Sequence, residues 1–436
     1  MLTTVVSFIL VLGFLVFIHE LGHYLAARHV GVRVERFSIG FPPKAFGKTI
    51  GETEYVLSWI PLGGYVKLYG QNIDDEDPDD PRNYAAKSKL QRLYILAAGP
   101  AMNLVAAVLL MALVYMVGVE TPDYRMSAPF IAAVEQGTPA ADAGFQPGDR
   151  IAKLDDVMIG SWKQLFDVIE QEAVRHDKLS FTVERANRLE TLLMDPAAIM
   201  SGQPLGWQPV IPPVVGGFGS DSPAKAAGMQ IGDRIVSVNG RQIVSWGEVP
   251  DAIQAAKGRP VEIQVQREGE LHTYAVTPTF DAGHGRWLVH ISLGMHTERH
   301  NPVESFVLGS KRLLGLTQST FVFLGRLLTG QGSLDSLGGP VKIGVVIGEA
   351  ARSGVVQLVF LMSFISLQLG IFNLLPIPAL DGGHIFMIGM EALNRGPLSP
   401  RLRERTQMIG LSLLILLILI VTYNDVVQMV SGGRPG

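Results

Sequence analysis

The sequence predicts a polytopic α-helical membrane protein with four transmembrane helices and a duplicated α+β domain between the second and the third. Three observations carry this. Apolar runs occur at about 3–27, 94–118, 355–375 and 408–423, the last extending less cleanly towards Val430. The first three approach or exceed the ~20 residues needed to cross a bilayer, and the fourth does so with its extension. Composition agrees, since 47% of the 436 residues are hydrophobic and 17% charged. Finally, Thr138-Pro139-Ala140 through Gly148-Asp149-Arg150-Ile151 returns 84 residues later as Ser222-Pro223-Ala224 through Gly232-Asp233-Arg234-Ile235, and Ser161-Trp162 returns as Ser245-Trp246. Two copies of one domain stand in tandem.

The first run contains His19-Glu20-Leu21-Gly22-His23. On a helix the two His, four residues apart, share one face and can bind one Zn²⁺, with Glu20 beside them as a candidate general base. Three polar side chains at membrane depth are costly, and a metal with neighbouring helices would offset their desolvation. The run also suits a signal peptide ending at Ala26-Ala27. It lacks a basic n-region, however, and cleavage there would discard the pentad, so it reads as a retained span.

Four spans put both termini on one side. Ten Lys and Arg, from Arg28 to Arg92, follow the first span, and Arg395, Arg401, Arg403 and Arg405 precede the last. By the positive-inside rule these connections are cytoplasmic, and the termini with region 119–353 lie outside. Only five residues separate His23 from Arg28, about 8 Å along a helix, which places the pentad near the cytoplasmic side. Within the first connection, the stretches Glu54 to Ile60 and Gly64 to Tyr69 flank Pro61-Leu62-Gly63 as strands flank a turn. The stretch 303–329 has 13 uncharged positions between Arg312 and Arg326, too few to span, and reads as an interfacial helix.

Each repeat copy reads as a strand, a short helix closed by Gly144 or Gly228, a Gly-Asp turn and a β-branched strand. The pattern S/T-P-A-x-x-A-G, then G-D-R-I, with Asn239-Gly240 in the second copy, resembles PDZ domains in their bacterial protease-associated form. Such domains bind extended peptide ends by strand addition. The same signature is compatible with a spacer or size filter whose groove is unfilled.

A two-His site needs at least one more protein ligand. With no Cys in the chain, disulfides and thiolate ligands are excluded, leaving His, Asp, Glu or water. Asn373-Leu374-Leu375-Pro376-Ile377-Pro378-Ala379-Leu380-Asp381-Gly382-Gly383-His384 interrupts a helix at membrane depth, tolerable where the freed backbone is buried in protein or lines a wet cavity. Asp381 is the favoured third ligand. His384 is its competitor, otherwise orienting groups nearby or stabilising the turn. The net charge of −4, with no basic run interleaved with aromatics, disfavours nucleic acid as a partner.

H-E-L-G-H in the first span, N-x-x-P-x-P-x-L-D-G-G-H at the third and the PDZ-like pair between them resemble the site-2 protease family of intramembrane zinc metalloproteases, peptidase family M50. The resemblance covers essentially the whole chain, including Arg33 to Phe41, Pro61 to Lys67 and Ala98-Gly99-Pro100-Ala101-Met102-Asn103. It implies one zinc per chain held by His19, His23 and Asp381, Glu20 as the base that activates water, and Asn373 hydrogen-bonding the substrate backbone. It also implies a membrane-associated β element in the first connection and periplasmic PDZ-like domains. The site would lie towards the cytoplasmic side of a bacterial inner membrane. The expected substrate is a single-span membrane protein already cut outside: an anti-sigma factor by resemblance, and remnant signal peptides. The expected layout is 1–120 for the first two spans, 121–208 and 209–298 for the PDZ-like domains, 299–353 for an interfacial linker, and 354–436 for the last two spans. Two rival functions remain open, a non-catalytic membrane scaffold and a metal transporter. Oligomeric state is not legible in the chain.

Overall fold

The computed structural model describes residues 2–71, 80–172, 178–195, 205–219, 221–281, 285–329, 338–394, 396 and 399–430. They form two compact units, one made of the chain up to Val119 and from Arg299 onward, the other of Glu120–Glu298.

The first unit contains α1 (Leu2–His29), β1 (Val34–Ile50), β2 (Thr53–Leu68), α2 (Lys89–Val117), α3 (Pro302–Leu328), α4 (Pro340–Ser353), α5 (Val355–Leu374), α6 (Asp381–Leu393) and α7 (Pro400–Val430). Among the described residues α1, α2, α5 and α7 are long and apolar enough to cross a membrane. The charged helix α3 is not among them, as its sequence predicts. Residues 330–337 of the expected interfacial linker lie outside the described residues. Helix α2 begins five residues before its apolar run because Ser88 caps it: the Ser88 hydroxyl accepts from the Gln91 amide, and the Gln91 side chain accepts from the Ser88 amide.

Helix α2 is the centre of this unit, with α1, α3, α5 and α6 packed on it. Its Ala107 and Met111 meet Leu313 of α3 and Leu367 and Ile371 of α5 in one buried cluster. Between α2 and α5, the Ser363 hydroxyl donates to the Ala107 carbonyl at 2.7 Å and the Ser366 hydroxyl to the Asn103 carbonyl at 2.8 Å. Small hydroxyl residues let two helices approach closely and find each other's backbone where no water is available. Residues Val11 and Leu15 of α1 bury against Ile347 of α4.

Strands β1 and β2 correct the predicted hairpin. The tight turn lies at Gly51-Glu52, and 61–63 run within β2. Residues 36–39 pair with 64–67 on one flank and with 54–57 on the other, while 44–50 pair with 53–58. The two predicted stretches therefore flank β1 rather than each other. Among the described residues 64–67 has no strand on its second flank.

In the second unit, one sheet has the order Val157–Met158, Arg150–Leu154, Leu179–Arg185, Arg188–Met194. A second has the order Arg241–Gln242, Arg234–Val238, Val261–Arg267, Glu270–Val276. The predicted short helices are Pro139–Asp142 and Pro223–Ala226, each followed by the expected glycine. The repeated Gly-Asp turn has a structural reason. Asp149 and Asp233 are fully buried, and each is held by two bonds from one guanidinium, Arg185 at 2.7 and 2.8 Å and Arg267 at 2.6 and 2.8 Å.

Burial pushes the Asp233 carboxyl up, but the Arg267 guanidinium and the Gln230 amide outweigh it and hold the group below its ordinary value. A depressed carboxyl contributes stability that is complete above the unfolded pKa, about 3.9, and is lost as pH falls towards the folded value. The second repeat is therefore expected to lose thermal stability as pH falls from 5 to 3. Melting followed by exchange-rate-corrected hydrogen exchange at 234–238 checks this. Asp233→Asn should lower stability at neutral pH and flatten that acid limb, and an unchanged acid limb would count against it.

Candidate metal centre

Helix α1 carries His19 and His23 on the face packed against α2, one turn apart. The partner carboxylate comes from the chain break. Helix α5 ends at Leu374 and α6 starts at Asp381. Between them Pro376 and Pro378 offer no N–H and cannot continue a helix, and the chain turns back through a Leu380 to Ile377 backbone bond of 3.1 Å. Asp381 is the first residue of α6, where the helix N-terminus favours a negative charge.

Asp381 Oδ2 lies 3.1 Å from His19 Nε2 and 3.4 Å from His23 Nε2, and the two Nε2 atoms lie 3.2 Å apart. Donors ~2.0–2.1 Å from a tetrahedral Zn²⁺ stand about 3.3–3.4 Å apart, so this triangle of two imidazole nitrogens and one carboxylate oxygen fits that ion. Among the described residues, His19, His23 and Asp381 are the group of side chains able to share one metal, and His384 is outside it.

Helix α2 and strand β2 close around this triangle. His23 Nδ1–H donates to the Ile95 carbonyl at 2.8 Å, which leaves its Nε2 lone pair towards the triangle. Gly99 lies directly under the ring, and a Cβ there would overlap the His23 imidazole, so only glycine permits this approach. On the opposite side the Glu20 carboxylate accepts from the Val66 amide of β2. Gly64, one strand position away from Tyr65, has no room for a Cβ because Ser38 O and Val16 already lie within 2.8 and 2.9 Å of that position.

These groups line one cavity of about 400 Å³, together with Asn373, Phe41 and residues 63–66 of β2. Of the residues singled out from the sequence, His19, Glu20, His23, Asp381 and Asn373 line it, and His384 does not. Asn103 of α2 was missed. It is fully buried, lines the same cavity and touches His19. Its signal was available, since an Asn in the middle of an apolar span is a functional candidate by default.

The family model described as peptidase family M50 matches residues 7–417. The chain is similar to the regulator of sigma-E protease RseP of Escherichia coli, 32% identical over 446 residues that cover 96% of this chain and 97% of that one. It is 32% identical to the regulator of sigma E protease of Haemophilus influenzae over 445 residues, 97% and 98% of the two chains. Among solved structures it is similar to the PDZ domain of the SdrC-like protein of Listeria monocytogenes, at 26% identity, covering 18% of this chain and 84% of that one with a TM-score of 0.17. At that score the likeness adds nothing to the strand order described above. The family match runs from within α1 into α7 and so takes in both halves of the cavity; the chain belongs to peptidase family M50 and is a zinc metalloprotease.

Proposed function

We propose that this protease cuts the transmembrane segment of single-span membrane proteins after a prior cut outside the membrane. The observation that carries this is the convergence of His19, His23 and Asp381, from a spanning helix and from the break beside another, in one cavity with residues 63–66 of β2. His19, His23 and Asp381 would hold the zinc, which when bound supplies a Lewis acid for a peptide carbonyl and for water. Glu20, fixed by the Val66 amide, takes the proton of the attacking water and returns it to the leaving nitrogen.

A helical substrate hides its amides in its own hydrogen bonds and must unwind before it can be attacked. The flank of 64–66 on which no described strand pairs lines the cavity and, beyond the Val66 amide taken by Glu20, offers replacement bonds by strand addition. Asn373, which lines the same cavity, hydrogen-bonds the substrate backbone. Exposed Phe46, Ile50, Leu57 and Trp59 on β1 and β2 support a β element lying against lipid. The basic first connection supports a cytoplasmic-side site in a bacterial inner membrane, with both termini and the PDZ-like pair in the periplasm. That pair would select trimmed substrates by size or by their new ends. An anti-sigma factor and remnant signal peptides are the substrates carried over from the family resemblance.

The test is cleavage of a single-span substrate by the purified chain in detergent. Stripping the metal with a chelator is expected to abolish cutting and zinc to restore it. Cutting that survives complete zinc removal would refute the mechanism. Zinc flux into liposomes without proteolysis would favour a transporter, and a chain that holds no zinc and cuts nothing a scaffold.

A further inference from the structure

Asn103 Nδ2 lies 3.1 Å from His19 Nδ1, while Asn103 Oδ1 is buried with no hydrogen-bond partner. The residue has no exposed surface, and its carbonyl is engaged by Ser366, which pins the backbone that carries it. An orphaned buried acceptor is costly, and its two amide rotamers make opposite demands on His19.

With Nδ2 towards the ring, His19 Nδ1 must accept, and the neutral imidazole then carries its proton on Nε2, the atom that faces Asp381 and His23. That proton sits where a lone pair is needed. A half-turn of the amide puts Oδ1 against the ring, where it accepts Nδ1–H and leaves the Nε2 lone pair free. His23 already has this arrangement through the Ile95 carbonyl. Helix α2 thus supplies a partner for both imidazoles, a backbone carbonyl for one and a side-chain amide for the other.

We propose that Asn103 is the positioning residue for His19: in the zinc-loaded protein its Oδ1 accepts the His19 Nδ1–H, fixing the tautomer and the ring plane that ligation through Nε2 requires. The proposal rests on the reading of His19, His23 and Asp381 as zinc ligands. Asn103 donates no electrons to the metal and touches no reacting atom in this role. Its effect appears in metal affinity, since outer partners of metal-bound His are commonly worth ~10–100-fold.

The experiment is zinc affinity of the full chain in detergent, measured by competition with a chromophoric chelator, for wild type, Asn103→Leu and Asn103→Asp. Leucine has similar bulk and cannot accept, and a roughly 10–100-fold loss of affinity is expected. Aspartate accepts at the same position, and affinity within about threefold of wild type is expected, a rescue that a packing role would not give. Equal affinity in Asn103→Leu would overturn the proposal, as would a loss in Asn103→Asp as large as in Asn103→Leu. Nitrogen-15 NMR of histidine-labelled, zinc-loaded wild type reads the tautomer without any variant. A protonated His19 Nδ1 supports the proposal, and an unprotonated one overturns it. A wild type that binds no zinc would instead defeat the underlying ligand assignment, an outcome distinct from a wild type that binds zinc with Asn103 making no difference.

Discussion

Glu20→Gln is expected to leave zinc bound and to lower cleavage of a single-span substrate by about 10²–10⁴-fold, the range that a positioned general base supplies. The reasoning starts from shape. Gln has the same length as Glu, and its side-chain oxygen can still accept from the Val66 amide, so the wall formed by β2 over α1 stays in place. What is lost is the ability to take a proton from water and return it to the leaving nitrogen. None of the three proposed ligands is altered, so metal content should match wild type. Kinetically the loss should fall on kcat, with KM nearly unchanged, because the group acts in the transition state rather than in ground-state binding. Undiminished cutting by this variant would sink the assignment of Glu20.

Asp381→Ala is expected to remove the zinc itself, with affinity lower by on the order of 10³-fold or more, beyond the ~10–100-fold that losing a ligand's hydrogen-bonding partner costs. Two imidazoles one turn apart on α1 would remain, and catalytic zinc sites in proteins use three side-chain ligands with one open position. The carboxylate also supplies the negative charge of the triangle and sits where the α6 N-terminus favours it. Both contributions vanish together in alanine. Asp381→Asn keeps the shape and one neutral oxygen, so its loss should be intermediate. Chelator competition on the purified proteins orders the three.

Much of this site was legible in the chain because its signals are local. The pentad declares itself by one-turn spacing, and the break at 375–380 by two prolines within three residues. Counting spans then brings residues 19–23 and 381 to the same side of a membrane. What the chain hid depends on non-local geometry. The residues 36–39 pair with two separate stretches, so a turn read from Pro61-Leu62-Gly63 was a natural error, and the strand 34–50 had no partner until its register was known. Arg185 and Arg267 were invisible as a repeated pair because they fall 82 residues apart while the motif repeats at 84. Asn103 and Gly99 sit in an apolar run whose rotation about its own axis the hydrophobicity of α2 does not specify. Their contact with the histidines emerges only when α1 and α2 are packed.

The central claim is that one zinc site is divided between α1 and the start of α6, and zinc content measured alongside substrate cleavage for wild type, Glu20→Gln and Asp381→Ala tests it most directly. The expected result is one zinc and full cutting in wild type, one zinc and almost no cutting in Glu20→Gln, and neither zinc nor cutting in Asp381→Ala. Full zinc occupancy in Asp381→Ala would contradict the divided site.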